Sequence, residues 1–94
     1  MDIAAVKHLC PVCGYELGFP PWRDASPSDE ICPSCGIQFG YTDAAGGDAA
    51  RRALTYSKWR TEWIAAGMPW RSRSQPPEGW DPVAQLRRLE VSGT

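Results

Sequence analysis

The chain of 94 residues is 43% hydrophobic and 11% aromatic, carries four cysteines and nine prolines, and has a formal net charge of −1. That length allows one domain with a small core, and a body of this size buries only about 60–65% of its unfolded surface, so a staple is expected. No stretch of about 20 apolar residues is present to span a membrane.

At the amino end, Met1 to Leu9 carry Asp2, Lys7 and His8, a run too short for a secretory leader. The expected location is cytoplasmic, where thiols stay reduced and four cysteines read as metal ligands rather than as two disulfides.

Residues 8–42 form a cysteine segment. Cys10-Pro-Val-Cys13-Gly14 and Cys32-Pro-Ser-Cys35-Gly36 are separated by eighteen residues, a spacing that fits the two-pair zinc-ribbon pattern. Two cysteines three apart bend round one ion when the turn between them is tight. Pro11 and Pro33 preset one dihedral angle of that turn. Gly14 and Gly36 accept the positive φ that directs backbone N–H groups toward sulfur. Four thiolates, from Cys10, Cys13, Cys32 and Cys35, complete a tetrahedral shell with metal–sulfur distances of about 2.3 Å. The expected cofactor is a structural Zn2+, with Fe as the alternative. His8 stands close enough in sequence to substitute as a ligand, but the cysteines already fill the set. Tyr15–Phe19 and Ile37–Tyr41 alternate like strands, which predicts a small antiparallel sheet with the ion at one end. Tyr15, Leu17, Phe19 and Trp22 read as core. No internal repeat is evident beyond the paired cysteine motifs.

Residues 43–67 hold a long helix, predicted over about 48–66. Ala49, Ala53, Tyr56, Trp59 or Arg60, Trp63 and Ala66 recur at steps of three and four, and Leu54 and Ile64 widen the stripe. Gly46 and Gly47 suit a turn, and Asp48 is placed to cap the orphan amides that follow. Gly67 suits the left-handed residue beyond the helix, and Pro69 blocks continuation. Arg51, Arg52, Lys58 and Glu62 fall on the opposite face. Residues 68–80 are a Trp- and Pro-rich connection, expected to be held against the long helix by Trp70 and Trp80. Residues 81–91 form a short helix that starts at Asp81-Pro82, with Val83, Leu86 and Leu89 on one side. The fold class expected is small α+β: a zinc-ribbon or rubredoxin-like antiparallel β segment with a four-cysteine metal site, then one long and one short helix.

Charge divides along the chain. Residues 1–50 carry two cationic and seven acidic side chains, and residues 51–94 carry eight cationic and four acidic ones. Acidic charge around the cysteines disfavours phosphate. A nucleic-acid reading therefore rests on the second half alone, on Arg51, Arg52, Lys58, Arg60, Arg71, Arg73, Arg87 and Arg88.

The knuckles and the segment Asp29-Glu-Ile-Cys-Pro-Ser-Cys-Gly-Ile37 resemble the bacterial cysteine-rich CPCC family, over about residues 8–43. Val12 stands where that family has its extra cysteine. The resemblance implies a small bacterial metal-binding protein and an association with toxin–immunity neighbourhoods. Cys10-Pro-Val-Cys-Gly-Tyr15 and Cys32-Pro-Ser-Cys-Gly36 are also similar to the knuckles of rubredoxins, which implies an iron electron carrier. The spacing is shorter than in free-standing rubredoxins, and the long helix has no counterpart there.

With one histidine, no phosphate loop and no open metal position, the chain is expected not to be an enzyme. The function expected is a protein–protein interaction module, of which an immunity protein that neutralises a toxin is one case. Trp59, Trp63, Trp70 and Arg71 are the candidate partner-binding residues, since Trp and Arg are favoured at interface hot spots. A nucleic-acid binder and an iron electron carrier are the alternatives.

Overall fold

The computed structural model describes residues 8–23, 26–44 and 48–92. The segment before His8 and the turn expected at Gly46 and Gly47 lie outside them. Within them the chain is small α+β, with two two-residue strands and two helices.

The cysteine segment folds as two copies of one device. Gly14 donates to the Cys10 carbonyl at 2.9 Å, and Gly36 to the Cys32 carbonyl at 2.8 Å. Each turn is then closed by a short antiparallel bridge, Leu9 with Glu16 and Ile31 with Gln38. Beyond it Leu17 N–H meets the His8 carbonyl and Phe39 N–H meets the Glu30 carbonyl, at 2.7 and 3.0 Å. Gly14 and Gly36 share φ of +83°, and Gly18 and Gly40 both lie in the left-handed region. The duplication therefore covers Leu9–Gly18 and Ile31–Gly40, well beyond the paired cysteines. It was hidden in the sequence because the equivalent apolar positions hold different side chains.

The strands expected over 15–19 and 37–41 do not form. Each is cut to a single bridge, because Gly18 and Gly40 turn the chain at φ of +79° and +94°. The alternation still has a cause. Leu17, Ile37 and Phe39 point into the core, while Tyr41, past the glycine, is 66% exposed. The paired strands lie elsewhere: β1 (Trp22–Arg23) meets β2 (Ser26–Pro27) antiparallel, with Trp22 opposite Pro27.

Helix α1 spans Ala49–Ala65, and Asp48 caps it by accepting from Ala50 N–H at 2.9 Å and Arg51 N–H at 3.2 Å. Its end is a left-handed turn with Gly67 at φ +95°, followed by Met68 at +56°. The inward face differs from the expected stripe. Tyr56, Trp59 and Trp63 pack on the core, but Leu54 is 70% exposed, and Ala49, Ala53, Ile64 and Ala66 also face outward. Their places are taken by Arg52 and Arg60, which turn inward to meet backbone carbonyls. Arg52 also lies 3.7 Å above the Trp22 ring, a cation–π contact.

The connection starts against α1, where Trp63 Nε1 donates to the Pro69 carbonyl, and then folds back on the cysteine segment, where Trp70 packs, rather than on α1. Arg71 and Ser72 N–H both donate to the Pro33 carbonyl, at 3.0 and 2.9 Å. Trp70 packs edge-on between Tyr15 and Trp80, with ring centroids 5.5 and 5.1 Å away. Helix α2 spans Pro82–Ser92, and Asp81 Oδ1 accepts from Val83 and Ala84 N–H at 3.0 and 3.1 Å. Its buried face is centred on Gln85, while Val83, expected inward, is exposed.

Candidate metal centre

Each cysteine pair is presented by a tight turn, and the two turns face each other. One ligand sulfur from each of Cys10, Cys13, Cys32 and Cys35 lies within 4.8 Å of all the others. Across the knuckles, Cys10 Sγ is 3.8 Å from Cys35 Sγ, and Cys13 Sγ is 3.7 Å from Cys32 Sγ. A tetrahedron with metal–sulfur bonds of about 2.3 Å has edges of about 3.8 Å. The two edges that cross between the knuckles have that length, and the tetrad is compact enough to hold a metal ion. His8 is not among the residues grouped there.

Electrostatics favour a cation at this position. Burial pushes the Cys10 thiol up, and hydrogen bonding with Cys10 is the largest influence pushing Cys35 up. The same neighbour, as donor, holds Cys13 well below the ordinary thiol range. Cys10, Cys13 and Cys35 are thus strongly coupled. A divalent metal held among the sulfurs favours their ionised forms.

Both helices grip the knuckle carbonyls. From α1, Arg60 donates to Val12 and Pro11 carbonyls, each at 2.6 Å, and Trp59 Nε1 donates to the Cys35 carbonyl at 2.9 Å. From α2, Gln85 Nε2 reaches the Cys13 carbonyl at 3.2 Å and Ser34 Oγ at 2.9 Å, and Arg88 reaches the Gly14 carbonyl at 3.2 Å. Trp80 Nε1 fixes the Gln85 amide by donating to its Oε1 at 2.8 Å. Such partners orient the metal-binding turns from outside the ligand shell. Sequence periodicity offered Arg60 as an alternative to Trp59 on the inward stripe but pointed to neither Gln85 nor Arg88, because their partners are backbone atoms far away in the chain.

The two equivalent glycines now differ in environment, and this gives a test. A Cβ on Gly14 would strike the Gln85 carbonyl, backbone against backbone, whereas a Cβ on Gly36 would meet only the Arg71 side chain at 3.3 Å. Positive φ penalises both substitutions by about 1–2 kcal/mol. Gly14→Ala is expected to cost about 2–3 kcal/mol and Gly36→Ala about 1–2, the difference being the displaced helix. Equal losses in urea denaturation would show that α2 does not press on the first knuckle.

Of the candidate partner residues, Trp59, Trp63 and Arg71 line one groove of about 680 Å³, together with Ile31, Pro33, Glu62 and the second knuckle. Trp63 is nonetheless almost wholly buried, with Nε1 on the Pro69 carbonyl at 2.9 Å. Trp70 stands apart in the aromatic stack. No protein-family model, no curated protein and no solved structure matches the chain.

Proposed function

We propose that the chain is a non-enzymatic interaction module held together by one structural zinc. The observation that carries the metal half is the buried sulfur tetrad, all four sulfurs within 4.8 Å and the two cross-knuckle edges of zinc–tetrathiolate length, clamped by both helices. Four protein ligands leave no position for substrate or water, which suits a structural role. Zinc is favoured over iron as the usual ion of closed tetrathiolate sites in small domains. Metal analysis tests this: one zinc per chain in colourless protein is expected, and red protein carrying iron would replace the reading with electron transfer.

The interaction half rests on the groove beside the second knuckle. Its rim carries Arg71 and Glu62, both exposed, with Ile31 56% exposed between polar neighbours. Charged side chains of both signs beside an apolar wall suit a polypeptide partner more than a polyanion. Phosphate binding is further disfavoured because Arg52, Arg60 and Arg88 are spent on internal carbonyls. Arg71→Glu is expected to weaken capture of the native partner at least tenfold while leaving the melting temperature within about 2 °C. Trp70→Ala is a different test, since it removes two aromatic contacts and is expected to cost about 3 kcal/mol of stability. Capture that survives Arg71→Glu would remove the groove from the reading.

A further inference from the structure

The two knuckles are alike inside and unlike outside. The first is covered: Pro11 and Val12 carbonyls lie under Arg60, and the Cys13 carbonyl and Gly14 lie under Gln85 and Arg88. The second borders the open groove, with Cys32 and Cys35 among its lining residues. Cys35 is the one ligand with residual exposure, 2% against 0% for the other three. A small solute reaching the centre from this groove meets the second knuckle first.

We propose that Cys35 is a modification site, at which hydrogen peroxide oxidises the metal-bound centre and drives a Cys10–Cys35 disulfide with release of the ion. The inference rests on the zinc reading above. In the first step a lone pair on Cys35 Sγ attacks one peroxide oxygen. The O–O bond breaks, hydroxide leaves and takes up a proton as water, and sulfur is oxidised to the sulfenic acid. In the second step the Cys10 thiolate, 3.8 Å away, attacks Cys35 Sγ. The S–S bond forms, the S–O bond breaks, and a second hydroxide leaves and becomes water. Two thiolates, one peroxide and two protons thus give one disulfide and two waters, the peroxide taking both electrons.

Loss of two donors leaves the ion with only Cys13 and Cys32, and it dissociates. Cys13 and Cys32, 3.7 Å apart, are poised to follow with a second peroxide. Closing from 3.8 Å to a bond of about 2.05 Å draws the knuckles into the volume the ion filled. The Gly14–Cys10 and Gly36–Cys32 hydrogen bonds lie within each turn and are not broken by that approach. The oxidised chain therefore keeps its knuckles linked, and a reductant with zinc restores the starting state.

The sequence makes the products easy to separate. Trypsin cuts after Lys7, Arg23 and Arg51, so each knuckle falls on its own peptide. Zinc content of the full chain is measured first; absence of metal at this point overturns the zinc reading and, with it, this proposal. The loaded chain is then given less than one equivalent of peroxide. Zinc release is followed with a chromogenic chelator, sulfenic acid is trapped with dimedone, and free thiols are alkylated before digestion. The expected products are a dimedone adduct on Cys35 and, without dimedone, a cross-linked pair of peptides joined through Cys10 and Cys35. Disulfides closed within either knuckle, or first oxidation at Cys10 or Cys13, would overturn the proposal while leaving the zinc reading intact. Arg71→Ala widens the groove without touching a ligand, and zinc release is expected to quicken about threefold or more as access improves. An unchanged rate would also count against entry by this route.

Discussion

Stripping zinc from the reduced chain with a strong chelator is expected to unfold it, and one equivalent of zinc is expected to fold it again. The composition of the core gives the reason. Among the described residues the buried apolar set is Cys10, Val12, Cys13, Leu17, Cys32, Cys35, Ile37, Phe39 and Trp63. Four of these nine are the sulfur ligands, so the centre of the core is the metal site itself. Complete burial of a side chain such as Ile37 or Phe39 contributes about 1.5–3 kcal/mol. Ordering each residue's backbone costs about 1–2 kcal/mol. A structural zinc contributes an apparent 10–16 kcal/mol or so, much the largest single term in a body this small. The helices would not survive alone. Helix α1 has 17 residues and α2 has 11, lengths close to or below the margin of about 12–15 for isolated helices, and their inward side chains hold knuckle carbonyls that would no longer be in place. Near-UV dichroism from the tryptophans and far-UV helix signal should therefore fall together. A chelated, reduced chain that kept both signals would show that the apolar contacts suffice without the ion.

The parts of this fold that were legible in the sequence are those in which local chemistry demands a residue type. Asp48 and Asp81 cap helices because only a short polar side chain can reach the orphan amides two and three residues on. The knuckles show for the same reason: a metal needs sulfur pairs at close spacing, and a positive φ needs glycine. The long-range polar contacts left no such trace. Gln85 is 3% exposed and its amide meets a carbonyl 72 residues away. Periodicity counts apolar residues as inward and polar ones as outward, so it passed over Gln85, put Arg52 on the outer face and sent Leu54, Ile64 and Val83 to the core. In a domain whose core is lined by the exposed carbonyls of metal-binding turns, the inward faces of the helices must supply donors, and apolar side chains are displaced to the surface. The short strands failed for a related reason. Alternation is a record of which side is buried, and a knuckle followed by a glycine turn alternates as faithfully as a strand does.

Asp43→Ala should be the most damaging substitution outside the sulfur ligands, at about 3–5 kcal/mol. Asp43 is fully buried, and its carboxylate accepts three hydrogen bonds: from Trp22 Nε1 at 2.8 Å, from Tyr56 OH at 2.6 Å and from Gly40 N–H at 2.6 Å. Its own carbonyl accepts from Arg52 Nε at 3.1 Å. These bonds tie the β1–β2 hairpin, the end of the second knuckle and α1 to one side chain. Alanine leaves three donors without an acceptor, and each unsatisfied buried group costs about 1–3 kcal/mol. Asparagine separates charge from shape. One of its two terminal atoms is an amide nitrogen facing donors, so Asp43→Asn is expected to lose roughly half as much. Tyr56 supplies an independent readout. Burial first, and then the bond to Asp43, push its phenol above the usual value of 10.0. A raised folded value favours the protonated form, so this contribution to stability is complete below about pH 10 and is lost as pH rises beyond it. In a tyrosinate absorbance titration, with Tyr56→Phe as the subtraction, the Tyr56 signal should lag behind a free phenol in the native chain. In Asp43→Ala, under conditions that keep it folded, the lag should shrink, because the accepting carboxylate and its charge are gone. Wild-type stability combined with an unchanged Tyr56 titration in Asp43→Ala would mean that hairpin, knuckle and helix are held together by something other than this carboxylate.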